Sequence, residues 1–217
     1  MRRPFRPSVK VRLNRYRKNA RGDAALSSHF YAWMARMKLI RRWSLQRNTL
    51  YENDAEHSLQ VAMIAHALAV IRLRRYGGAL DMEKLLLLAL YHEAPEVITG
   101  DLATPIKYFN PGIKAAYKDI ERMASEKLLS YLPEDLRPDY EPLMLPDTDC
   151  DEWRLVKAAD KLSAYLKCLE EEGGGNREFL PARESIRVAI EDMDVPEAMD
   201  FLEEFAPSFL LPLDALN

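Results

Sequence analysis

Read for the spacing of its apolar positions, this chain is a succession of helices and little else. Leu26 to Leu39 has the pattern of a short amphipathic helix. Asn53 and Asp54 then supply an N-cap, and Asn53 followed by Glu56 has the form of a capping box. A helix therefore opens there and runs through HSLQVAMIAHALAVIRLRRY until Gly77 and Gly78 stop it. Asp81 caps the next helix, whose Leu-rich run ends near His92. Pro95 would clash with a carbonyl one turn back inside that helix but suits the first turn of a new one, so the chain is expected to bend between His92 and Glu96. Pro111 to Leu132 reads as helix and a Pro-rich, acidic connector leads to Asp151. Glu152 to Glu172 forms a long helix ended by three glycines, and shorter helices around Pro181 to Asp192 and Pro196 to Phe205 close the chain.

Composition agrees with an all-α fold. Only eight glycines interrupt a chain of 217 residues in which Leu, Ala, Glu, Lys and Arg abound, and 48% hydrophobic residues suffice for one sizeable core, taken here as a single domain over residues 26–217. The longest apolar run, Leu85 to Tyr91, covers seven residues, whereas a bilayer requires roughly 20, so no membrane span is expected. Two cysteines, Cys150 and Cys168, are too few for a disulfide framework and read as reduced thiols of a cytoplasmic protein. The net charge of −3 hides an asymmetry. Residues 1–22 hold nine Lys or Arg and no acid, while the remainder carries 22 bases against 34 acids. Residues 1–25 thus read as a basic, disordered arm, and the acidic body argues against a nucleic-acid-binding surface.

The stretch LYHEAPEVITGD is out of character with the buried helix it terminates, because an unpaired buried charge is costly. His57 raises a similar question: Val61, Ile64 and Leu68 share its helix side, which turns it inward, while His66 falls on the opposite face. Asp160 lies among Trp153, Val156, Ala158, Ala159 and Ala164, with Lys157 or Lys161 as the ordinary partner for it. Each residue alone is most simply a satisfied core or surface group. Together, His57, His92, Glu93 and Asp160 form a mixed nitrogen and oxygen donor set on three helices, suited to divalent Mn, Co, Ni, Fe or Zn. Four protein ligands leave coordination positions open, as a catalytic site requires. HEAPE begins like the zinc-protease motif H-E-x-x-H, but the second histidine is a glutamate and Pro95 would break the helix that must present both ligands.

The order His57, 34 residues, His92–Glu93, 66 residues, Asp160 resembles the H…HD…D signature of the HD-domain metal-dependent phosphohydrolases. The blocks LIRRWSLQRN, AEHSLQVAMIAHALA, LYHEAPEVITGDLATPIKYFN and LVKAADKLSAYLKCLEE resemble more specifically the bacterial 5'-deoxynucleotidases of that superfamily. The resemblance implies a single-domain helical bundle, forming a homodimer, that hydrolyses deoxyribonucleoside 5'-monophosphates with a divalent ion, often cobalt or manganese. It implies that His57, His92, Glu93 and Asp160 hold the metal, that Glu96 handles the proton of the attacking water, that Arg42 binds phosphate, that Trp43 packs against the sugar and excludes a 2'-hydroxyl, and that Asp101 contacts the sugar end. Asp147 or Asp149 of the connector could join the pocket. One departure stands out: the family dyad is His-Asp, and here it is His92-Glu93. That departure admits a second reading, a nucleotide-binding protein without turnover, and a third, similar in chemistry but different in product, is an HD triphosphohydrolase acting on deoxynucleoside triphosphates.

Overall fold

The computed structural model describes residues 27–107 and 109–216, and among them no β-strand forms. The basic segment 1–25 lies outside the described residues. Among the described residues ten α-helices follow in order: α1 (Phe30–Met34), α2 (Asp54–Ile71), α3 (Met82–Tyr91), α4 (Glu96–Thr99), α5 (Thr104–Lys107), α6 (Pro111–Ser130), α7 (Arg137–Met144), α8 (Asp151–Gly173), α9 (Leu180–Glu191) and α10 (Pro196–Glu204).

The expected starts and stops are present. The Asn53 side chain accepts from the backbone N–H groups of Ala55 and Glu56, and Glu56 accepts from Asn53 N in return at 3.3 Å, a complete capping box. Asp81 caps α3 and Asn110 caps α6. After Ile71 the helix continues as a wider π turn, Arg72–Tyr76, and ends on Gly77 at φ 71°. Arg72 and Arg75 use this turn to reach Glu197, Asp200 and Glu204 and so tie α10 to α2.

Two expectations need correction. The helix expected from Leu26 to Leu39 is α-helical only over Phe30–Met34 and tightens into a 3-10 turn at Ala35–Leu39; Leu26 lies outside the described residues. The Pro-rich connector contains α7. Pro138 sits in its first turn, where no N–H is needed, and Arg137 donates to Leu129 O at 3.1 Å and Leu132 O at 3.3 Å, stapling α7 to the end of α6.

The main core lies where α2, α3 and α8 meet. Leu68, Leu85, Leu88, Leu155, Leu162 and Leu166 are fully buried there, and α9 and α10 close on it. Each such side chain contributes about 1.5–3 kcal/mol. A smaller core of Phe30, Met37, Ala94, Val97, Leu128 and Met144 holds the first helix, the bend after α3 and α6 together. Helix α8 has one exception to its apolar burial. Asp160, Ser163, Lys167 and Glu171, spaced three, four and four residues apart and therefore on one side, are all buried and form a polar seam through the core.

Candidate active site

The upper end of this seam meets three other segments. The first turn of α2 presents His57, the bend between α3 and α4 presents His92, Glu93 and Glu96, and the segment from Ile40 to Asn53 presents Arg42 and Trp43. That segment is tied to the start of α2 by an isolated bridge between Arg41 and Asn53, with Arg42 N donating to Glu52 O at 3.1 Å and Asp54 N to Ile40 O at 3.1 Å. One ligand-type atom from each of His57, His92, Glu93 and Asp160 lies within 4.8 Å of all the others. His57 Nε2 is 3.1 Å from Asp160 Oδ1 and 3.9 Å from Glu93 Oε1, and His92 Nε2 is 3.4 Å from Glu93 Oε1 and 4.0 Å from Asp160 Oδ1.

The outer nitrogens of the two imidazoles decide what these distances mean. His92 Nδ1 faces the Ala89 carbonyl at 2.7 Å and must donate to it, which leaves Nε2 as a bare lone pair. That atom is buried and without a hydrogen-bond partner. His57 Nδ1 faces Ser163 Oγ at 3.2 Å, and because the serine hydroxyl donates to Gln60 Oε1 at 2.9 Å, its oxygen is left to accept from Nδ1. In these tautomers both Nε2 lone pairs point at carboxylate oxygens. Lone pair against lone pair is repulsive unless a cation or a proton lies between, so the cluster has the donor set, tautomers and unmet acceptor that fit a divalent ion. Glu93 reaches the cluster in spite of its additional methylene, and the same Oε1 also accepts from Arg42 Nη1 at 3.2 Å.

The comparisons with known proteins agree with this geometry. The family model described as 5'-deoxynucleotidase YfbR-like matches residues 29–209. This chain belongs to the 5'-deoxynucleotidase YfbR-like family. The 5'-deoxynucleotidase of Vibrio cholerae serotype O1 is 52% identical over 191 residues, which cover 88% of this chain and 98% of that one. An HD-domain phosphohydrolase from Listeria innocua superposes with a TM-score of 0.75 at 21% identity, covering 85% of this chain and 90% of its own. The cyanophage S-2L HD phosphohydrolase DatZ, solved bound to dA and one catalytic Zn²⁺ ion, superposes with a TM-score of 0.58 at 18% identity, covering 82% and 95%. These two likenesses show that the YfbR-like chain has the HD-phosphohydrolase fold.

Electrostatics around the cluster separate its carboxyl groups into two kinds. Burial pushes Glu93 and Asp160 up, but His92 and Arg42 acting on Glu93, and Lys157, His57 and His92 acting on Asp160, outweigh it and hold both well below the usual carboxylate range. Lys157, one of the two partners expected from the sequence, does pair with Asp160 Oδ2, at 3.0 Å. Burial pushes Glu96 up to about 11, reinforced by Glu93, Asp54 and Asp101, and one of its oxygens has no partner. Burial, with Glu93 next, raises Asp54 to about 7, and Asp101 is raised by burial as well. Asp101 thus shares the field of Glu93, Glu96 and Arg42. Burial acts to lower Arg42, but Glu93, Asp160, Glu52 and Glu96 raise it further, and its charge is fixed.

Trp43 has a backbone φ of 57°, an outlier for a bulky side chain that costs about 1–3 kcal/mol and marks a constrained position. Its indole Nε1 donates to Glu52 Oε2 at 3.0 Å, its carbonyl accepts from Asn48 Nδ2 at 3.1 Å, and its ring lies 5.3 Å from that of Phe179. Asp147 and Asp149 are exposed, and Asp147 accepts from Asp149 N within its own turn at 3.0 Å. His66 is exposed on the far side of α2, and His29 is exposed before α1. The residues not foreseen are Glu52, Asp54, Gln60, Ser163 and the Lys167–Glu171 pair. Polar residues repeating every three or four positions on an otherwise apolar side of α8 were the available signal for the last three.

Proposed function

We propose that this chain is a cytoplasmic, homodimeric 5'-deoxynucleotidase, converting deoxyribonucleoside 5'-monophosphates and water to deoxynucleosides and phosphate with Co²⁺ or Mn²⁺ held by His57, His92, Glu93 and Asp160. The observation that carries the reading is the convergence of those four donors from α2, the bend after α3 and α8, beside a largely buried arginine and a buried glutamate with one oxygen lacking a hydrogen-bond partner. When bound, the divalent ion supplies Lewis-acid polarisation of the phosphoryl group and lowers the pKa of water.

The protein groups have distinct tasks. Arg42 is pinned by Glu93 at 3.2 Å and Glu52 at 3.5 Å, so its planar fork is oriented before phosphate arrives, and its remaining N–H groups bind phosphate oxygens. Glu96 takes the proton of the attacking water and delivers a proton to the 5'-oxygen that leaves with the sugar. The burial that raises its pKa makes its ionised form a stronger base than an ordinary glutamate. Trp43 packs against the sugar and leaves no space for a 2'-hydroxyl, and Asp101 contacts the sugar end. The two free thiols suit a reducing compartment. Leu59, Met63 and Val70 are exposed in one row of α2, with Glu56 at one end and Arg74 at the other. A second copy laid antiparallel about a two-fold near Ala65 sets Leu59 against Val70 and Glu56 against Arg74, which supports the homodimer.

Metal-stripped protein is to be incubated with dAMP, AMP, dTMP and dATP, with and without Co²⁺ or Mn²⁺. Ion-dependent phosphate from dAMP and dTMP with little from AMP is expected. Tripolyphosphate from dATP, or tight nucleotide binding with no turnover, would replace the proposal by the corresponding alternative. Light scattering should give a dimer for the native chain and a monomer for Met63→Glu.

A further inference from the structure

Glu52 touches three of the groups that the proposed function uses, and it does so with both of its oxygens. Oε2 accepts from the Trp43 indole at 3.0 Å and lies 3.5 Å from Arg42 Nε, while Oε1 lies 3.5 Å from His57 Nδ1. Its side chain is largely buried. Its own backbone is fixed by the bonds across the Arg41–Asn53 bridge, and two residues earlier Leu50 N is held by Glu171 at 3.1 Å. The carboxylate is therefore placed independently of the tryptophan it holds.

Trp43 is not self-supporting. Its backbone occupies a left-handed conformation that a large side chain avoids, so the orientation of its ring has to be imposed from outside. Its carbonyl accepts from Gln46 N at 3.0 Å, and three side chains act on it: Asn48 on its carbonyl, Phe179 on its ring and Glu52 on its indole nitrogen. Phe179 and Asn48 restrain its depth and backbone. Rotation of the indole about its own long axis is restrained by Glu52 alone of the three, because that contact is directional.

We infer that Glu52 is a positioning residue that sets the preference for deoxyribose over ribose by locking the Trp43 indole. The inference rests on the reading of Trp43 as the sugar-packing residue. His57 keeps Ser163 as an alternative acceptor for Nδ1 and Arg42 keeps Glu93 at 3.2 Å, so loss of Glu52 leaves the ligand cluster with its tautomers, and any slackening of phosphate binding falls on both nucleotides alike while the ratio between them reads sugar selection.

The test is a double-mutant cycle read as the ratio of kcat/KM for dAMP to that for AMP at saturating Co²⁺, in the full chain. Glu52→Ala and Trp43→Phe, which keeps a ring but lacks the donor, should each lower the ratio by about tenfold, the scale of one buried hydrogen bond. The double variant should fall no further than the lower single one. Glu52→Gln, which retains an acceptor oxygen, should stay near the wild-type ratio. Calorimetric titration of dAMP and AMP into the same variants carrying Glu96→Ala should show the same loss of preference without turnover. The inference is overturned by a ratio in Glu52→Ala within twofold of wild type, with both nucleotides slowed equally, or by effects that multiply in the double variant. If Glu52→Ala does not fold, Trp43→Phe alone decides, since an unchanged ratio there removes the bond from the selectivity. A wild-type protein with no preference for dAMP would instead sink the reading of Trp43 itself.

Discussion

The two ends of the polar seam along α8 are built from the same kinds of residue and behave in opposite ways. At the lower end, Glu171 is fully buried and accepts from Thr49 N at 2.9 Å, Thr49 Oγ1 at 2.7 Å, Leu50 N at 3.1 Å and Asn176 Nδ2 at 2.8 Å, as well as from Lys167. Burial alone would raise it, but Lys167, Thr49 and Asn176 together bring it down to about 2. At the upper end, His92 Nε2, one oxygen of Glu96 and both oxygens of Asp54 have no hydrogen-bond partner, Asp54 having only the Arg42 guanidinium at 3.9 Å, and imidazole lone pairs face carboxylates. A polar cluster whose every atom is matched fixes a loop. One left incomplete at the same depth is open to a ligand.

Variants that separate the two ends should give opposite phenotypes. The largest expected effect is at the upper end: Glu96→Ala should lower kcat by about 10²- to 10⁴-fold while nucleotide affinity, measured by calorimetry, stays within about tenfold. At the lower end, Glu171→Ala strands the Lys167 ammonium and two backbone donors, and urea unfolding should show a loss of about 3–5 kcal/mol. Its ion affinity should stay near wild type at temperatures where it is folded.

pH sharpens the contrast further. Glu96, raised to about 11 chiefly by burial, keeps its proton after the unfolded chain has released it, and Asp54, raised to about 7, does the same over a narrower range. Groups with raised folded pKa values stabilise below the unfolded value and lose that contribution as pH rises. His57, also raised against the opposition of burial and Arg42 by bonds to Asp160 and Glu52, has the same sign. Ion-free protein should therefore melt at a lower temperature near about pH 8 than near about pH 5.5. Glu96→Gln should flatten that slope. Glu171 contributes nothing in this window, because its transition lies near about 2. The smallest effect is expected for Glu93→Asp, which restores the His-Asp dyad. Turnover should remain within about tenfold and the ratio of Co²⁺- to Mn²⁺-supported rates should shift, since ligand reach is felt at tenths of an ångström.

Much of this architecture is legible in the sequence because it is written in local signals. Asn53 with Glu56 starts α2, Asp81 starts α3, the glycines after Tyr76 and Glu172 stop two helices, and Pro95 forces the bend that turns Glu93 and Glu96 toward His57. Seven of the eight site residues named from the sequence, Arg42, Trp43, His57, His92, Glu93, Glu96 and Asp160, lie in the segments that meet along α8, and Asp101 follows the short helix α4. What escaped depends on tertiary partners. Pro138 and Pro142 read as a connector, and only the grip of Arg137 on the end of α6 shows why a helix forms there. Lys167 and Glu171, four residues apart, are buried because the Thr49 loop is laid over them, which the spacing along α8 does not show by itself. Glu52 carries no local signal, and its contacts exist because the bridge at Arg41 folds its segment back onto α2.

His57 and Asp160 are 103 residues apart in the chain and come within 3.1 Å. An ion held between them, as the proposed function has it, would act as a rivet joining α2, α8 and the bend after α3, and binding of this kind adds stability by mass action, about 1.4 kcal/mol for each tenfold excess of free ion over its dissociation constant. In a cell short of the right metal, the protein would lose resistance to proteolysis together with activity, so that its abundance follows the supply of the ion.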